Sequence, residues 1–413
     1  MGISLSRKVV VTGVGILSAL GSSWNELKSS MEQGQSAVRF MPEWEDFQGL
    51  SAKIAAPVDH FEMSNYFTRK QTRSMDRVAK FAVTAVDAAL KDAGLRECPE
   101  LLGSGRVGVA CGSAAGGTES TQQFATARIN QEYGHLTPNT YIKMSPHTAL
   151  VNIALSFGIT GRLIPTSSAC TSATQALGFA YESIVAGSQD VMIAGGAEEL
   201  NSCQLAVFDN VFAASRQNEA PSSRPAPFDV QSDGLVMGEG AGFLVLEEYQ
   251  HAVDRGATIY AEFCSFATNN DAFHITQPRV ETMQMVLSDS LRFAGIAAEN
   301  IDYISAHGTA AYQSDKAESE ATYAVFGDST PISTLKSFLG HSLGACGGLE
   351  AACLVSMLKD SWFHQTLNLN RQNPDFAVLD HIVDAPRFIQ AEFVQLNNFA
   401  FGGINTSIVM RQV

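Results

Sequence analysis

The sequence predicts an α/β protein, because short apolar strands alternate with helices along nearly the whole chain. Residues 9–11 and 191–194 are unbroken apolar runs of strand length, whereas residues 72–94 carry apolar side chains at helical spacing. Strands without polar alternation indicate sheets covered on both faces, and the alternation with helices favours largely parallel pairing. Each half of the chain opens with a strand and ends with a pair of strands, which suggests an internal duplication.

The composition is typical of a globular protein whose main ligand is not a nucleic acid. The chain has 413 residues, of which 45% are hydrophobic, and its formal net charge is −15. No apolar run is long enough to span a bilayer and no secretory signal is recognisable, so we expect a cytoplasmic protein without a membrane partner. Its seven cysteines show no paired metal-ligand spacing. We therefore expect reduced thiols and no metal site.

One stretch, residues 166–181, organises the candidate site. An apolar strand ends at Pro165, Cys170 follows, and a helix rich in small residues continues to Ile184. The positive end of that helix is expected to lower the pKa of the Cys170 thiol. The small neighbours of Cys170 leave room for a substrate, which favours a nucleophile. A buried structural cysteine is equally compatible with this stretch taken alone.

Two further patterns are weaker. Gly13 and Gly15 follow a strand, but the third glycine of a dinucleotide-binding fingerprint is absent, so a tight turn packed on the core is predicted there. Basic residues, among them Arg69, Lys70 and Arg73, cluster at the start of the helix predicted over residues 72–94. In so acidic a chain this cluster indicates either a docking surface or a solvated helix face.

Three other places put reactive or permissive groups at strand ends, where α/β proteins collect their ligand sites. The first is His307, which directly follows a strand. The second is the segment from Lys336, in which Gly340 and Gly344 flank a second histidine, His341. The third is the Phe401-Gly402-Gly403 loop, which joins the last two strands. Each has an ordinary structural alternative, such as a hydrogen-bonded histidine or a simple turn.

Together these motifs resemble the β-ketoacyl-[acyl-carrier-protein] synthases, and most closely the elongating type II condensing enzymes. The resemblance rests on Ser168-Ala-Cys170-Thr-Ser, Ala306-His307-Gly-Thr, Lys336-Ser-x-x-Gly-His341 and Asn398-Phe-x-Phe401-Gly-Gly, and it extends from about residue 8 to 410. It implies a thiolase-like, duplicated αβαβα five-layer fold. The implied halves are residues 1–255, with the nucleophilic cysteine, and residues 256–413, with the two histidines and the glycine loop.

The resemblance also implies roles for matching positions. Cys170 would hold the acyl group as a thioester, and His307 and His341 would assist decarboxylation of malonyl-carrier protein and stabilise the enolate. The backbone N–H groups of Cys170 and Phe401 would form the oxyanion hole, with Phe401 and Gly402 in the gate. Lys336 and Glu350 would order the site. The remaining implied residues are Thr309 and Asp315 in support, and Arg69, Lys70 and Arg73 at the carrier-protein contact.

The partners implied are acyl carrier protein, which brings substrates on its phosphopantetheine arm, and a second copy of the chain in a homodimer. No bound cofactor is implied. A heterodimer with a cysteine-less chain-length subunit stays open, as does a specialised ketosynthase of a polyketide or aryl-polyene-like pathway, whose motifs would be the same. A biosynthetic thiolase is disfavoured because residues 398–405 contain no second cysteine, and a priming synthase is disfavoured because His341 stands where asparagine is expected.

Some positions depart from the family pattern. Ala311 and Tyr312 replace a common threonine and proline beside His307, so one hydrogen bond to the pantetheine arm is in question. Asn398 and Ala400 stand in the gating loop where serine and glycine are usual. Because alanine tolerates a positive φ less well than glycine, we expect a stiffer gate and an altered acyl preference.

Overall fold

Strands and helices alternate through the chain, as the sequence predicts. The computed structural model describes residues 7–59, 61–63 and 67–413. Within them the strands are Val9–Ser18 (β1), Arg39–Phe40 (β2), Ile54–Ala56 (β3), Val107–Gly112 (β4), Leu163–Thr166 (β5), Val191–Glu198 (β6), Met237–Gly238 (β7), Gly240–Glu248 (β8), Ala261–Asn270 (β9), Ile301–Ser305 (β10), Pro331–Ser333 (β11), Trp362–Phe363 (β12), Asp380–His381 (β13), Arg387–Phe388 (β14), Phe393–Phe399 (β15) and Ile404–Gln412 (β16). The helices are Trp24–Glu32 (α1), Arg69–Thr72 (α2), Arg77–Asp92 (α3), Pro99–Leu102 (α4), Thr118–Asn130 (α5), Pro138–Met144 (α6), Thr148–Phe157 (α7), Ser172–Val185 (α8), Ser202–Asn210 (α9), Tyr249–Asp254 (α10), Val280–Ala294 (α11), Tyr312–Phe326 (α12), Lys336–Leu339 (α13) and Cys346–Asp360 (α14).

The main sheet repeats one strand order twice. Across the described residues it has eleven strands, in the order β13-β11-β10-β15-β16-β9-β1-β8-β6-β4-β5. In chain order the first set is β1, β4, β5, β6 and β8, and the second set is β9, β10, β11, β15 and β16. Towards the centre of the sheet, the first set runs β5-β4-β6-β8-β1 and the second set runs β11-β10-β15-β16-β9. In both sets this is the order third, second, fourth, fifth and first, when the strands are numbered along the chain. The predicted duplication is confirmed by this shared topology.

The prediction of largely parallel pairing is wrong. Among the described strands of the main sheet, only β6-β4-β5 on one side and β15-β10-β11-β13 on the other pair in parallel, and the central strands from β6 to β15 pair antiparallel. The last two strands of each set pair with each other, and the final strand also lies beside the first strand of its set. These neighbours can pair antiparallel because antiparallel strands need no helical crossover between them.

Helices and strands alternate in five layers: an outer helical layer, the first set of strands, an inner helical layer, the second set of strands and a second outer helical layer. α3 packs on β1 and β8 at one outer face, and α11 packs on β9 and β16 at the other. α8 and α14 lie between the sets, since α8 contacts β6 and β9 and α14 contacts β8 and β15. Both inner helices are lined by small buried residues, which allow strands to approach on two sides. No helix in the described ranges is long and apolar enough to cross a membrane.

The helix predicted over residues 72–94 is interrupted. A short α2 begins after Thr68, whose side chain forms a capping box with Gln71, and α3 begins after Asp76, whose carboxylate accepts the backbone N–H of Ala79. The second cap restarts the helix, so Arg69 and Lys70 belong to α2 and Arg73 to the turn that follows.

Gly13 and Gly15 lie inside β1 rather than in a turn. A Cβ atom on Gly15 would overlap the carbonyl oxygen of Ala85, and one on Gly13 would overlap that of Ala89, both in α3. The two glycines therefore let the backbone of α3 approach the strand, which agrees with a packing role and not with dinucleotide binding.

We expect Gly15→Ala to lower the free energy of unfolding by roughly 1–3 kcal/mol, because the added methyl group meets backbone that cannot rotate away. Urea denaturation followed by circular dichroism measures this change. Gly134→Ala is the matched control, since a Cβ atom at Gly134 would extend into open space, at least 4 Å from the other described parts of the chain. A surface change of this kind stays within about 0.5 kcal/mol. Equal stability of the two variants would contradict the close approach of α3 to β1.

Candidate active site

Cys170 lies in a tight turn between β5 and α8. Ala169 has a left-handed φ of 51°, and α8 begins at Ser172, so Cys170 precedes the first turn of the helix and is not part of it. The Ser172 hydroxyl accepts the backbone N–H of Ser168 at 2.8 Å and donates to the carbonyl of Ala169 at 2.7 Å. These bonds hold the backbone in its strained shape and present the thiol at one edge of the inner helical layer.

The structure brings both predicted histidines to Cys170. His341 Nε2 lies 3.0 Å from Cys170 Sγ, and the rings of His307 and His341 meet edge to face with centroids 5.3 Å apart. Cys170, His307 and His341 are 5%, 1% and 2% exposed. Three groups from distant parts of the chain thus share one buried space.

The expected lowering of the Cys170 pKa is wrong. Burial raises the pKa of the thiol to about 11, and the nearby Lys336 ammonium and the backbone N–H groups of Phe401 and Cys170 lower it by less. Burial outweighs these groups because a thiolate would lose its surrounding water. The thiol is therefore protonated at neutral pH in this state.

Lys336 sits behind His307. Its Nζ donates to the His307 carbonyl at 2.8 Å, lies 3.2 Å from His307 Nδ1, and forms an ion pair with Glu350. Burial lowers the pKa of Lys336, but Cys346 and Glu350 raise it by more, so its pKa lies above the ordinary value. Lys336 is therefore charged, and an ammonium group can only donate.

Both imidazoles are neutral and present an N–H to the cavity. Burial, together with the charge on Lys336, holds the pKa of His307 and of His341 well below the ordinary value. His307 Nδ1 faces the ammonium of Lys336, and His341 Nδ1 accepts the backbone N–H of Leu343 at 3.2 Å. Since each Nδ1 faces a donor, we assign the ring proton to Nε2 in both residues.

The same three side chains form a possible metal-ligand set, because their ligand atoms lie within 4.8 Å of one another. Coordination through Nε2 requires a lone pair on that nitrogen, with the proton moved to Nδ1. A proton on Nδ1 would face the N–H groups of Lys336 and Leu343. The hydrogen bonds behind the rings therefore oppose metal binding through these nitrogens.

The turn after His307 is held by two buried carboxylates. Asp315 accepts the backbone N–H of Thr309 at 2.9 Å, and Glu318 accepts those of His307 and Gly308, both at 2.7 Å. Burial raises the pKa of Asp315 to about 6 and that of Glu318 to about 8. Sequence reasoning named Asp315 and missed Glu318. Their spacing of three residues on one helix was the signal that both face the same turn.

The last glycine loop lies over Cys170, since Phe401 lines the same cavity. The ring of Phe401 packs against Phe208 with centroids 5.3 Å apart. Gly402 has a φ of 91°, and its N–H donates to the carbonyl of Ile275 at 2.8 Å, so it points away from Cys170. Ala400 has a negative φ, and this conformation of the loop carries no strain from the alanine.

The space left around Cys170 is narrow. The cavity that Cys170, His307, His341 and Phe401 line has a volume of about 40 Å³, room for only a few water molecules. A wider opening of about 470 Å³ lies beside it, and the two spaces share the lining residues Thr276, Gln277, Ala311, Ser314 and Phe401. Phe401 is thus one of the residues at the boundary between Cys170 and the opening. Within the opening Ala311 offers only a methyl group, and the Tyr312 hydroxyl donates to Asp375 at 3.2 Å.

Two of the three predicted basic residues line a separate groove. Arg69, Lys70 and Arg73 are exposed, and Arg69 and Arg73 line a groove of about 840 Å³. Its other basic lining residues are Arg77, Lys80 and Lys143, and its apolar ones include Phe61, Met63 and Phe67. A groove of this kind offers both positive charge and apolar surface.

Comparison with known proteins agrees with this geometry. Family models described as the beta-ketoacyl synthase N-terminal domain and the beta-ketoacyl synthase C-terminal domain match residues 6–252 and 260–370. The chain is 33% identical to the 3-oxoacyl-[acyl-carrier-protein] synthase 2 of Vibrio cholerae, over 98% of this chain and 99% of the relative.

Solved structures give the same result. A beta-ketoacyl synthase from Burkholderia phymatum is 48% identical, with a TM-score of 0.97 over 98% of this chain and 100% of that one. The ishigamide ketosynthase/chain length factor is 28% identical, with a TM-score of 0.91 over 99% and 100% of the two chains. A ketosynthase solved with its type II polyketide acyl-carrier protein is 29% identical, with a TM-score of 0.87 over 99% and 100%. The chain belongs to the beta-ketoacyl synthase family of condensing acyltransferases.

Proposed function

We propose that the protein joins an acyl chain, held as a thioester on Cys170, to malonyl-acyl-carrier-protein by decarboxylative Claisen condensation, in fatty-acid elongation. The observation that carries this proposal is the buried Cys170 thiol facing two neutral histidines whose Nε2–H groups point into the same cavity. The relationship to 3-oxoacyl-carrier-protein synthases supports the substrate class. The product is a 3-oxoacyl-carrier protein.

The first half-reaction transfers the acyl group. Cys170 Sγ attacks the thioester carbonyl of the acyl-carrier protein, the carbonyl oxygen becomes an oxyanion, and the backbone N–H groups of Cys170 and Phe401 stabilise it. The bond to the pantetheine sulfur then breaks. The proton of the Cys170 thiol passes to that sulfur, so the carrier protein leaves as a thiol and no net charge is created.

The second half-reaction removes carbon dioxide and forms the new carbon–carbon bond. Decarboxylation of the malonyl group leaves an enolate oxygen, to which His307 and His341 donate from Nε2. The enolate carbon attacks the carbonyl of the Cys170 thioester, the bond from that carbonyl to the sulfur breaks, and the Cys170 thiolate takes up a proton from water. Lys336 and Glu350 keep His307 in place, and Asp315 and Thr309 hold the turn on which it sits. These steps balance without a metal or a bound cofactor.

A specialised polyketide or aryl-polyene-like ketosynthase is the second candidate. Two observations favour it: the solved ketosynthases that work with a chain length factor or a polyketide carrier protein, and the apolar Ala311 at the mouth of the site. The chemistry at Cys170 would be unchanged, and only the acyl chain and the partner would differ.

Intact-mass spectrometry separates the two candidates. We expect wild-type protein incubated with acyl-carrier proteins to gain one acyl mass, with saturated chains transferred fastest, and Cys170→Ala to gain none. Cys203→Ala is the control, since Cys203 is exposed and outside the cavity. Preference for conjugated or aryl-primed chains would favour the specialised pathway. Absence of any adduct on folded wild-type protein would refute the proposal for the chain acting alone.

The carrier protein is proposed to dock on the basic groove. In the family that the chain resembles, the start of the helix predicted over residues 72–94 is the carrier-protein contact, and Arg69, Lys70 and Arg73 give this acidic chain a local positive surface. Partly exposed apolar residues at the groove, such as Phe61 and Met63, would cover the neutral part of the contact.

We expect Arg69→Glu combined with Arg73→Glu to raise the KM for acyl-carrier protein by about tenfold and to weaken its dependence on salt. Acylation of Cys170 by a carrier-free acyl pantetheine should not change. Steady-state kinetics at several ionic strengths measure both effects. The control is Arg292→Glu, whose side chain is 64% exposed on α11. An unchanged KM in the double variant would show that acyl-carrier protein does not bind at the groove.

A second subunit is proposed to cover the edge of the sheet at β5. Among the described strands β5 pairs with β4 alone, so its other edge is open. The neighbouring helices expose large apolar side chains, namely Ile129, Tyr141 and Leu155, which are 80%, 62% and 69% exposed. A homodimer closes this edge with a second copy, and a heterodimer closes it with a cysteine-less relative.

We expect the wild type to sediment as a dimer, and Leu155→Asp combined with Leu163→Asp to sediment as a folded monomer, because a charge would be buried at the interface. Met285→Asp is the control, since Met285 is 57% exposed on the far helix α11. Analytical ultracentrifugation gives the masses. A wild-type monomer that dimerises only with another subunit would replace the homodimer with the heterodimer.

The resemblance to the condensing enzymes also supports a domain boundary and a cellular location. The division between the two halves is proposed to fall between residues 255 and 256, in the turn after α10. The protein is proposed to act in the cytoplasm, where substrates arrive on the phosphopantetheine arm of acyl carrier protein.

A further inference from the structure

Asn398 is a polar side chain at the centre of the site to which no role has been given so far. It is fully buried on β15, one residue before Phe399 and three before Phe401. Its Nδ2 lies 2.7 Å from Glu350 Oε2 and 3.3 Å from His307 Nδ1, and its Oδ1 accepts the hydroxyl of Thr174. Both hydrogens on Nδ2 and the oxygen of the carboxamide therefore face a partner.

We propose that Asn398 is a positioning residue that keeps the His307 proton on Nε2, the nitrogen that faces the substrate. This inference rests on the proposed function. Two groups approach His307 Nδ1, the Lys336 ammonium at 3.2 Å and the Asn398 Nδ2 at 3.3 Å. An ammonium and an amide NH₂ can only donate, so together they keep Nδ1 as an acceptor.

The orientation of the Asn398 carboxamide is fixed by its own neighbours. Glu350 Oε2 accepts from Nδ2, and the Thr174 hydroxyl donates to Oδ1. A flipped carboxamide would place its oxygen against the carboxylate of Glu350, which is unfavourable without water. The donor of Asn398 therefore always faces His307, which is what a fixed tautomer requires.

Asn398 also completes the ion pair behind His307. The two oxygens of Glu350 are divided, with Oε1 bonded to Lys336 and Oε2 to Asn398. Without Asn398, Oε2 would be buried without a donor, and Glu350 would compete with His307 for the N–H groups of Lys336. The effect of Asn398 on His307 is thus both direct and through Lys336.

The inner helices are built to admit this side chain. Thr174 lies in the first turn of α8, directly after the Cys170 turn, and Gly347 lies in α14 opposite to it. A Cβ atom on Gly347 would overlap Thr174 Oγ1 and lie 2.7 Å from Asn398 Oδ1. Asn398 therefore ties the helix of the nucleophile to the histidine of the other half. A serine, whose hydroxyl is one bond from Cβ, cannot reach all three partners.

The test compares Asn398→Ser and Asn398→Ala in the full-length protein. ¹⁵N-histidine NMR reads the protonation of each ring nitrogen, and His307→Ala identifies the His307 signal. We expect an unprotonated Nδ1 in the wild type and a mixture of the two tautomers in both variants, because Nδ1 loses the donor at 3.3 Å and Glu350 competes for the N–H groups of Lys336. An unchanged His307 signal in both variants would overturn the proposal.

Kinetics supply the second readout. We expect Asn398→Ser to slow carbon dioxide release from malonyl-carrier protein by roughly ten- to hundredfold, and to change the rate of Cys170 acylation by less than about threefold. Asn397→Ser is the matched control, because Asn397 is buried on the same strand but bonds to Ser407. Equal losses in both half-reactions, as a general loss of structure would give, contradict the proposal. If the wild type released no carbon dioxide, the proposed function would fail, while the NMR result would still decide the role of Asn398.

Discussion

The buried ion pair between Lys336 and Glu350 is the interaction on which the rest of the site depends. Removing two opposite charges from water is costly unless every remaining donor and acceptor finds a partner. Here Lys336 also donates to the carbonyl of His307, and the second oxygen of Glu350 accepts from Asn398. The pair is thereby coupled to the backbone and the ring of His307. A change to any one of these groups leaves another buried without its partner.

Burial shifts the pKa of Cys170 and the pKa values of the two histidines in opposite directions. It raises the pKa of Cys170 and lowers those of His307 and His341, because it disfavours the charged form of each. All three groups are consequently neutral at neutral pH. Neutral imidazoles suit a reaction whose negative charge develops on the substrate, since they donate hydrogen bonds without transferring a proton to the enolate. In the proposed reaction, the Cys170 thiol would attack as its proton passes to the leaving group.

Close approach of the inner helices explains why the two halves share one site. Cys170 belongs to the first set of strands and helices, whereas both histidines belong to the second. Small residues along α8 and α14 allow the elements of both sets to meet, and at Gly347 even a methyl group would exclude the Thr174–Asn398 hydrogen bond. The same principle operates at the surface layer, where Gly13 and Gly15 admit the backbone of α3. Packing of small residues thus fixes the distances on which catalysis depends.

The sequence by itself determined the fold class and the residues that meet at the site, because strand ends in α/β proteins converge and the motifs carry chemically distinctive groups. It did not determine the direction of pairing, because the order of strands depends on contacts between distant segments. The pKa of Cys170 was predicted in the wrong direction, since burial is a property of the whole packed molecule. Asn398 finds its partners Thr174, His307 and Glu350 far along the chain, whereas the spacing of Glu318 from Asp315 was visible in the sequence. The tertiary structure alone decided the strand pairing, the pKa of Cys170 and the contacts of Asn398, because each depends on which distant segments pack together and which groups they exclude from water.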